Sequence, residues 1–316
     1  MTITAKIIAD SIGAKTTRLT TMQLRYPRFI HAELMTHRVF SRNASSSRAI
    51  PVSRLIEDVI QDTAMPIHWG KNQPGMQARE EHDAPVMVGE FFPHEALVKA
   101  DAKGAWLHAR DKAIKMAEAF HAAGYHKQVV NRLLEPFSHI NVVVTATNFD
   151  NFYWLRRHPD AQPEIKVLAD AMYEAQQASD PEFLDEGEWH LPYITEQDRD
   201  MSFPVLLQDN NVDYDPVTVE DLISVSVARC ARVSYLTHDG KAPNFEDDFA
   251  LYCKLVGSSP LHTSPAEHQA TPDNPIYGPH GEEIWENPHL SGNLDQGWIQ
   301  FRKTLDGEFC KKYQGA

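Results

Sequence analysis

Apolar and β-branched residues gather in short stretches along this 316-residue chain, and the polar segments between them predict a mixture of helices and strands. Residues 16–24 alternate weakly, as a strand with one buried face does, and residues 140–146 (Ile-Asn-Val-Val-Val-Thr-Ala) read as a buried strand feeding a helix over 148–157. Pro27 pre-sets the first turn of a helix that the pattern carries to about Arg38, with Ile30, Leu34 and Arg38 on one face and Glu33 and His37 as a neighbouring i, i+4 pair. Further helices are predicted over 95–123, closed by Gly124, over 125–135, stopped by Pro136, and over 164–178. Thr218-Val219-Glu220-Asp221 has the form of a capping box opening a helix to about Arg232, and Asn244 starts one ending at Gly257.

Two segments lack this patterning. Residues 61–93, rich in Pro, Gly, His and acids, read as a long surface loop, either a lid or a disordered excursion, with Trp69 a candidate for stacking on a ligand ring. Residues 179–217 are acidic, dotted with prolines and without clear period, and read as a joint between residues 1–178 and 218–316.

Charge narrows the classes of ligand. Residues 1–56 carry nine Lys or Arg against two acids, whereas the rest of the chain carries twenty-one against forty-two, for a net charge of -14. A local basic patch on an acidic protein suits a small anion better than a nucleic acid, although residues 25–54 as a nucleic-acid contact stay as the non-enzymatic alternative. No stretch has the length and apolarity of a membrane span or of a signal-peptide core, which leads us to expect a cytoplasmic protein. Cys230, Cys253 and Cys310 are too scattered for a disulfide framework or thiolate metal site, and Cys230 falls inside a predicted helix, where burial explains it. His262 and His268, six residues apart, do not share a helical face as a zinc pair would, so no metal is expected. No Gly-x-Gly-x-x-Gly or Walker loop is present.

The candidate chemistry concentrates in residues 36–48, Thr-His-Arg-Val-Phe-Ser-Arg-Asn-Ala-Ser-Ser-Ser-Arg. Arginine forks match phosphate oxygens, and the short hydroxyl and amide side chains let backbone N–H groups approach an anion. His37-Arg38, followed after seven residues by Ser46, with Arg48 two further on, resembles the Arg-His-Arg signature of the flavin-dependent thymidylate synthases, the ThyX family. Four more segments resemble the same family: Gln128-Val129-Val130-Asn131-Arg132 with Pro136; Asn151-Phe152 with Leu155-Arg156; Ala231-Arg232-Val233-Ser234-Tyr235; and His262-Thr263-Ser264-Pro265-Ala266-Glu267-His268. In that family the last two segments come first, so the resemblance implies a circular permutation with its new joint at 179–217.

The resemblance implies an α/β (α+β) fold, an antiparallel-type sheet with flanking helices and a long insert loop, forming one catalytic domain over residues 1–316. It implies transfer of a one-carbon unit from methylenetetrahydrofolate to C5 of dUMP, with FAD as cofactor and NADPH as reductant, in a homotetramer whose active sites lie at subunit interfaces. No enzyme thiol is needed for this chemistry. Ser46, Ser47, Arg48 and Arg132 match nucleotide-binding positions, Glu33 a further substrate position, and Arg156 the arginine that polarises the pyrimidine. His37, Arg38, Asn43, Asn151, His262 and Ser264 match the flavin contacts or lie beside them. Thr36 stands where the motif's first arginine belongs, Glu33 where glutamine is usual and Ala44 where a glutamate is usual, while Thr145, Thr147 and Asp160 also depart from the pattern. Arg28, Arg42 and Arg157 are candidates to compensate. These departures leave two alternatives open, a hydroxymethyl product and dCMP as the nucleotide.

Overall fold

In the computed structural model, which describes residues 2–89, 97–206, 212–233 and 244–311, the N-terminal part supplies strands β1 (Thr4–Gly13), β2 (Leu19–Pro27) and β3 (Ser41–Ala44). A 3-10 turn (Arg28–Ile30) and the short helix α1 (His31–Met35) connect the last two. Helix α2 (Val52–Gln61), the hairpin of β4 (Val86–Val88) and β5 (Val98–Ala100), helices α3 (Ala102–Ala122) and α4 (Lys127–Val130), and the 3-10 stretch Asn131–Phe137 lead to β6 (His139–Ala146). Then come α5 (Asp150–Arg156), α6 (Pro163–Gln177), β7 (Glu182–Leu184), α7 (Glu196–Arg199), a hairpin of β8 (Ser202–Leu206) and β9 (Val212–Pro216), α8 (Val219–Arg232) and α9 (Phe245–Val256). The C-terminal part holds a 3-10 turn (Ser264–Glu267), β10 (Ala270–Pro272), a hairpin of β11 (Pro275–Tyr277) and β12 (Glu283–Trp285), β13 (Trp298–Gln300) and α10 (Phe301–Thr304). Among the described residues no helix is long and apolar enough to cross a membrane.

The main sheet runs in the order β3-β6-β2-β1-β7, antiparallel throughout except for the parallel pair β1 and β7. Strand β6 explains why residues 140–146 show a continuous apolar run instead of an alternation, because both of its faces are covered. Val142 and Val144 pack with Phe40, Phe149, Phe152, Leu168 and Met172 on the α5 and α6 side. Val143 faces the other way and meets Tyr193, Cys230 and Val233. Cys230 is fully buried, as the helical pattern around it predicts, and burial pushes its thiol well above the ordinary range.

Several elements differ from the sequence expectation. Strand β1 is hidden in the sequence because a register shift between Ile7 and Ala9 breaks its alternation. Helix α1 stops at Met35, short of Arg38, where Thr36 Oγ1 donates to the Glu33 carbonyl and the Arg42 guanidinium donates to the carbonyls of Met35 (3.0 Å) and His37 (2.9 Å). Ile30 and Leu34 therefore enter the core while Arg38 leaves the helix and is exposed. Helix α3 begins at Ala102, because Asp101 caps the Gly104 N–H, and it ends as expected with Gly124 at φ +86°. The segment after it is only one α-turn followed by 3-10 geometry that takes Pro136 inside. Residues 62–85 form no helix or strand of their own, but Trp69 sits half-buried, edge-on to Trp106 at 6.1 Å, so it is a packing residue here and not an exposed one. Residues 90–96 lie outside the described residues.

The segment over 179–217 is built of short elements. It contributes β7 to the main sheet, the capping box of Thr195 and Asp198 on α7, and a hairpin. Its lack of period reflects short elements held by charge. Arg229 of α8, almost fully buried, donates to both carboxylate oxygens of Asp198 (2.7 and 2.8 Å) and, through Nε, to Asp248 of α9 (3.0 Å), which also pairs with Arg232. Helices α8 and α9 themselves start at Thr218 and Asn244 as the sequence predicts. Removing one partner from such a cluster strands the remaining charges away from water. Arg229→Met is expected to lower unfolding free energy by about 3–5 kcal/mol, read by urea denaturation, and a change below about 1 kcal/mol would mean that the cluster is hydrated.

Candidate functional site

Two residues that lie 119 positions apart meet at the end of α5. Arg156 donates from Nε to His37 Nε2 at 2.9 Å and from Nη2 to Thr36 Oγ1 at 3.3 Å. Accepting at Nε2 fixes the His37 proton on Nδ1, and its ring is packed by Phe152 (4.9 Å between centroids, edge-on) and Phe40 (6.0 Å, stacked). Burial, and then the Arg156 and Arg42 charges, push the imidazole below its ordinary pKa, so it is neutral. Arg156 is thus oriented by an uncharged acceptor. Its neighbour Arg157 is spent on structure, paired with Asp170 at 2.8 Å and stacked 3.8 Å over the Tyr173 ring. The expected pairing of Glu33 with His37 does not form; His37 Nε2 is engaged by Arg156 instead. Glu33 Oε2 is buried without a hydrogen-bond partner.

A second group gathers below the serine loop. Asn131 Nδ2 donates to the carbonyls of Ser47 (2.7 Å) and Ile50 (3.0 Å), and Ser45 N donates to the Asn141 carbonyl (2.8 Å), which pins the loop to β6 and to the 3-10 stretch. Ser46 and Arg48 point to solvent, while Ser47 is buried and donates its hydroxyl to Glu135 Oε1 at 3.0 Å. Arg28 lies 3.2 Å from the same oxygen and Arg132, mostly exposed, 3.9 Å from the other. Sequence reasoning did not find Glu135. The available signal was an acid three residues after Arg132, where a helical turn returns it to the same side.

Of the remaining predicted residues, Asn43 lies on β3 with Oδ1 buried and unpartnered. Arg38 is exposed in the turn before β3, and Asn151 is exposed on the first turn of α5. His262 and Ser264 are exposed at the 3-10 turn that packs against β3. Ser234 and Tyr235 lie outside the described residues. A groove of about 440 Å³ runs between α2 and α3, and a cavity of about 180 Å³ lies beside β7 and α8. Among the described residues no three His, Cys, Asp or Glu side chains converge as a metal site.

A family model described as thymidylate synthase complementing protein matches residues 18–182, just over half of the chain. The chain belongs to that family. The matched region takes in β2, the 36–48 run, Arg132 and Arg156, and ends in β7. Solved structures with similar folds include a UMP/dUMP methylase, PolB, from Streptomyces cacaoi bound with 5-Br dUMP (15% identity, 55% of this chain and 90% of that one, TM-score 0.38). Another is ThyX from Helicobacter pylori with FAD and dUMP (17% identity, 50% of this chain and 67% of that one, TM-score 0.32). A sequence comparison with curated proteins finds no match.

Residues beyond the family match are tied to it through a line of buried hydrogen bonds. Ser11 Oγ lies 2.8 Å from His190 Nδ1, His190 Nε2 2.7 Å from Thr21 Oγ1, Thr21 Oγ1 2.6 Å from Thr145 Oγ1, and Thr145 Oγ1 2.8 Å from His268 Nδ1. Burial pushes His190 and His268 down to about 3, and His139, also buried and near Arg25, to about 4. The unfolded chain protonates these imidazoles near their ordinary pKa of 6.5, so between pH 6.5 and about 4 it binds more protons than the folded chain. Stability is therefore complete above pH 6.5 and falls as pH drops, by about 1.4 kcal/mol per pH unit for each such histidine. A melting temperature that declines steadily from pH 6.5 to 4.5 is expected by calorimetry, and a flat profile would show that these rings carry charge in the folded protein.

Proposed function

We propose that this protein is a flavin-dependent enzyme that transfers a one-carbon unit from methylenetetrahydrofolate to C5 of a deoxypyrimidine monophosphate, dUMP foremost, with NADPH as reductant. The observation that carries the reading is Arg156, held on neutral His37. A guanidinium placed beside a pyrimidine stabilises negative charge developing at N3 and the adjacent carbonyl, which raises the nucleophilicity of C5. Ser46, Ser47, Arg48 and Arg132 bind the nucleotide phosphate on this reading. Membership of the thymidylate synthase complementing family supports it.

The residues assigned to FAD fit a polar, anionic cofactor. Asn43 Oδ1 is a buried acceptor without a donor, and Arg38, Asn151, His262 and Ser264 offer exposed donors. FAD bound there supplies the redox step. His37 orients Arg156 and presents its Nδ1–H away from it. We read residues 218–316 as the permuted half and tail of a single catalytic domain, supported by the bond between Thr145 and His268. We take the assembly to be a cytoplasmic homotetramer with interfacial active sites, supported by Met35, Val39, Trp154 and Leu155, exposed apolar side chains adjacent in sequence to Thr36, His37 and Arg156.

A second reading, a hydroxymethyl product or dCMP as substrate, is supported by Thr36, Glu33 and Ala44, where the chain departs from the family's usual residues. The purified protein is expected to be yellow with a flavin absorbance spectrum, and a colourless protein that takes up no FAD would overturn the proposal. Mass spectrometry of the products from dUMP and dCMP distinguishes the two readings. Arg156→Ala is expected to reduce kcat by roughly 10²–10³-fold while FAD stays bound. Equal loss of flavin would make Arg156 a scaffold residue.

A further inference from the structure

Two of the four residues assigned to the nucleotide phosphate, Ser47 and Arg132, already face an anion of the chain itself. Ser47 is buried, and its one hydroxyl proton goes to Glu135 Oε1 at 3.0 Å. A serine has a single proton to give, so Ser47 cannot donate to Glu135 and to a phosphate at once. Arg28 approaches the same carboxylate at 3.2 Å and Arg132 at 3.9 Å. A carboxylate and a phosphate draw on the same partners, guanidinium forks and hydroxyl donors. The Glu135 side chain remains about one-quarter exposed, so an incoming anion can reach it.

We infer that Glu135 is an internal competitor for the phosphate group, and that nucleotide binding displaces its carboxylate from Ser47 and Arg28. The inference rests on the reading that Ser47 and Arg132 bind phosphate. The backbone on both sides is fixed: Asn131 holds the Ser47 and Ile50 carbonyls, and Ser138 N donates to the Glu135 carbonyl at 3.3 Å. Rotation of the Glu135 side chain is therefore the motion that releases the donors. A ligand must outcompete one carboxylate for them, which a phosphate monoester does with its greater charge and three terminal oxygens, and a phosphodiester or an uncharged nucleoside does not. The class of ligand selected is a terminal phosphate monoester.

Glu135→Gln removes the charge and keeps an acceptor for Ser47. By isothermal titration with inorganic phosphate, and separately with dUMP, it is expected to bind about tenfold more tightly than the parent, the size of one partly screened charge–charge repulsion. Deoxyuridine, which lacks the phosphate, is expected to bind both proteins alike. Glu135→Asp keeps the charge and is expected to stay within about threefold of the parent, with thermal melting used to verify that each variant is folded. Unchanged or weaker phosphate binding by Glu135→Gln would overturn the inference and make Glu135 an organiser of the arginines. Equal tightening by Glu135→Asp would also overturn it. Because inorganic phosphate needs no flavin, tighter binding in a protein that takes up no FAD separates failure of the enzymatic reading from failure of this one.

Discussion

A hydroxyl buried inside a sheet covered on both faces has to find its partners in the protein, and Thr145 finds them in Thr21 across the strand pair and in His268 far along the chain. That requirement adds a polar tie to regions whose apolar clusters already meet, Val143 packing on Tyr193, Cys230 and Val233, and Leu19 on Ala270 and Trp298. The line runs on through His190 to Ser11, so β1, β2, β6, the segment before α7 and the segment after α9 share one set of bonds. Each hydroxyl has one proton to give, so each threonine in the line donates to at most one of its neighbours. Breaking one link leaves a buried polar group unsatisfied, at a cost of about 1–3 kcal/mol. His268 is fixed in this way, and with it the turn that carries Ser264.

What could be read from the sequence follows from how each element is stabilised. Strand β6 and helices α8 and α9 were legible because burial and capping leave local marks, a β-branched run in one case and the Thr218 and Asn244 caps in the others. Strand β1 was not, since its bulge removes the alternation. The 179–217 segment was read as a featureless joint because its stability comes from Arg229 reaching Asp198 and Asp248, contacts that carry no sequence period.

The site divides similarly. Arg156 and His37 were legible through motif spacing, and the fold brings them into contact. Glu135 was invisible because its meaning depends on Arg28, Ser47 and Arg132 converging from three elements, and only tertiary structure sets that. The adjacent arginines 156 and 157 make the same point, since sequence gives them equal standing while Asp170 and Tyr173 take one of them out of play.

Strand β3 ends the main sheet, and only four residues long, it leaves an open edge of backbone groups of the kind that templates strand addition. The C-terminal segment closes over it with side chains: Gln300 and Asn293 engage Ser41, and Asn293 reaches the Val39 carbonyl. Asn293 and Gln300 thus cover this edge with side chains, and a chain lacking them would leave the β3 edge open to strand addition from another copy.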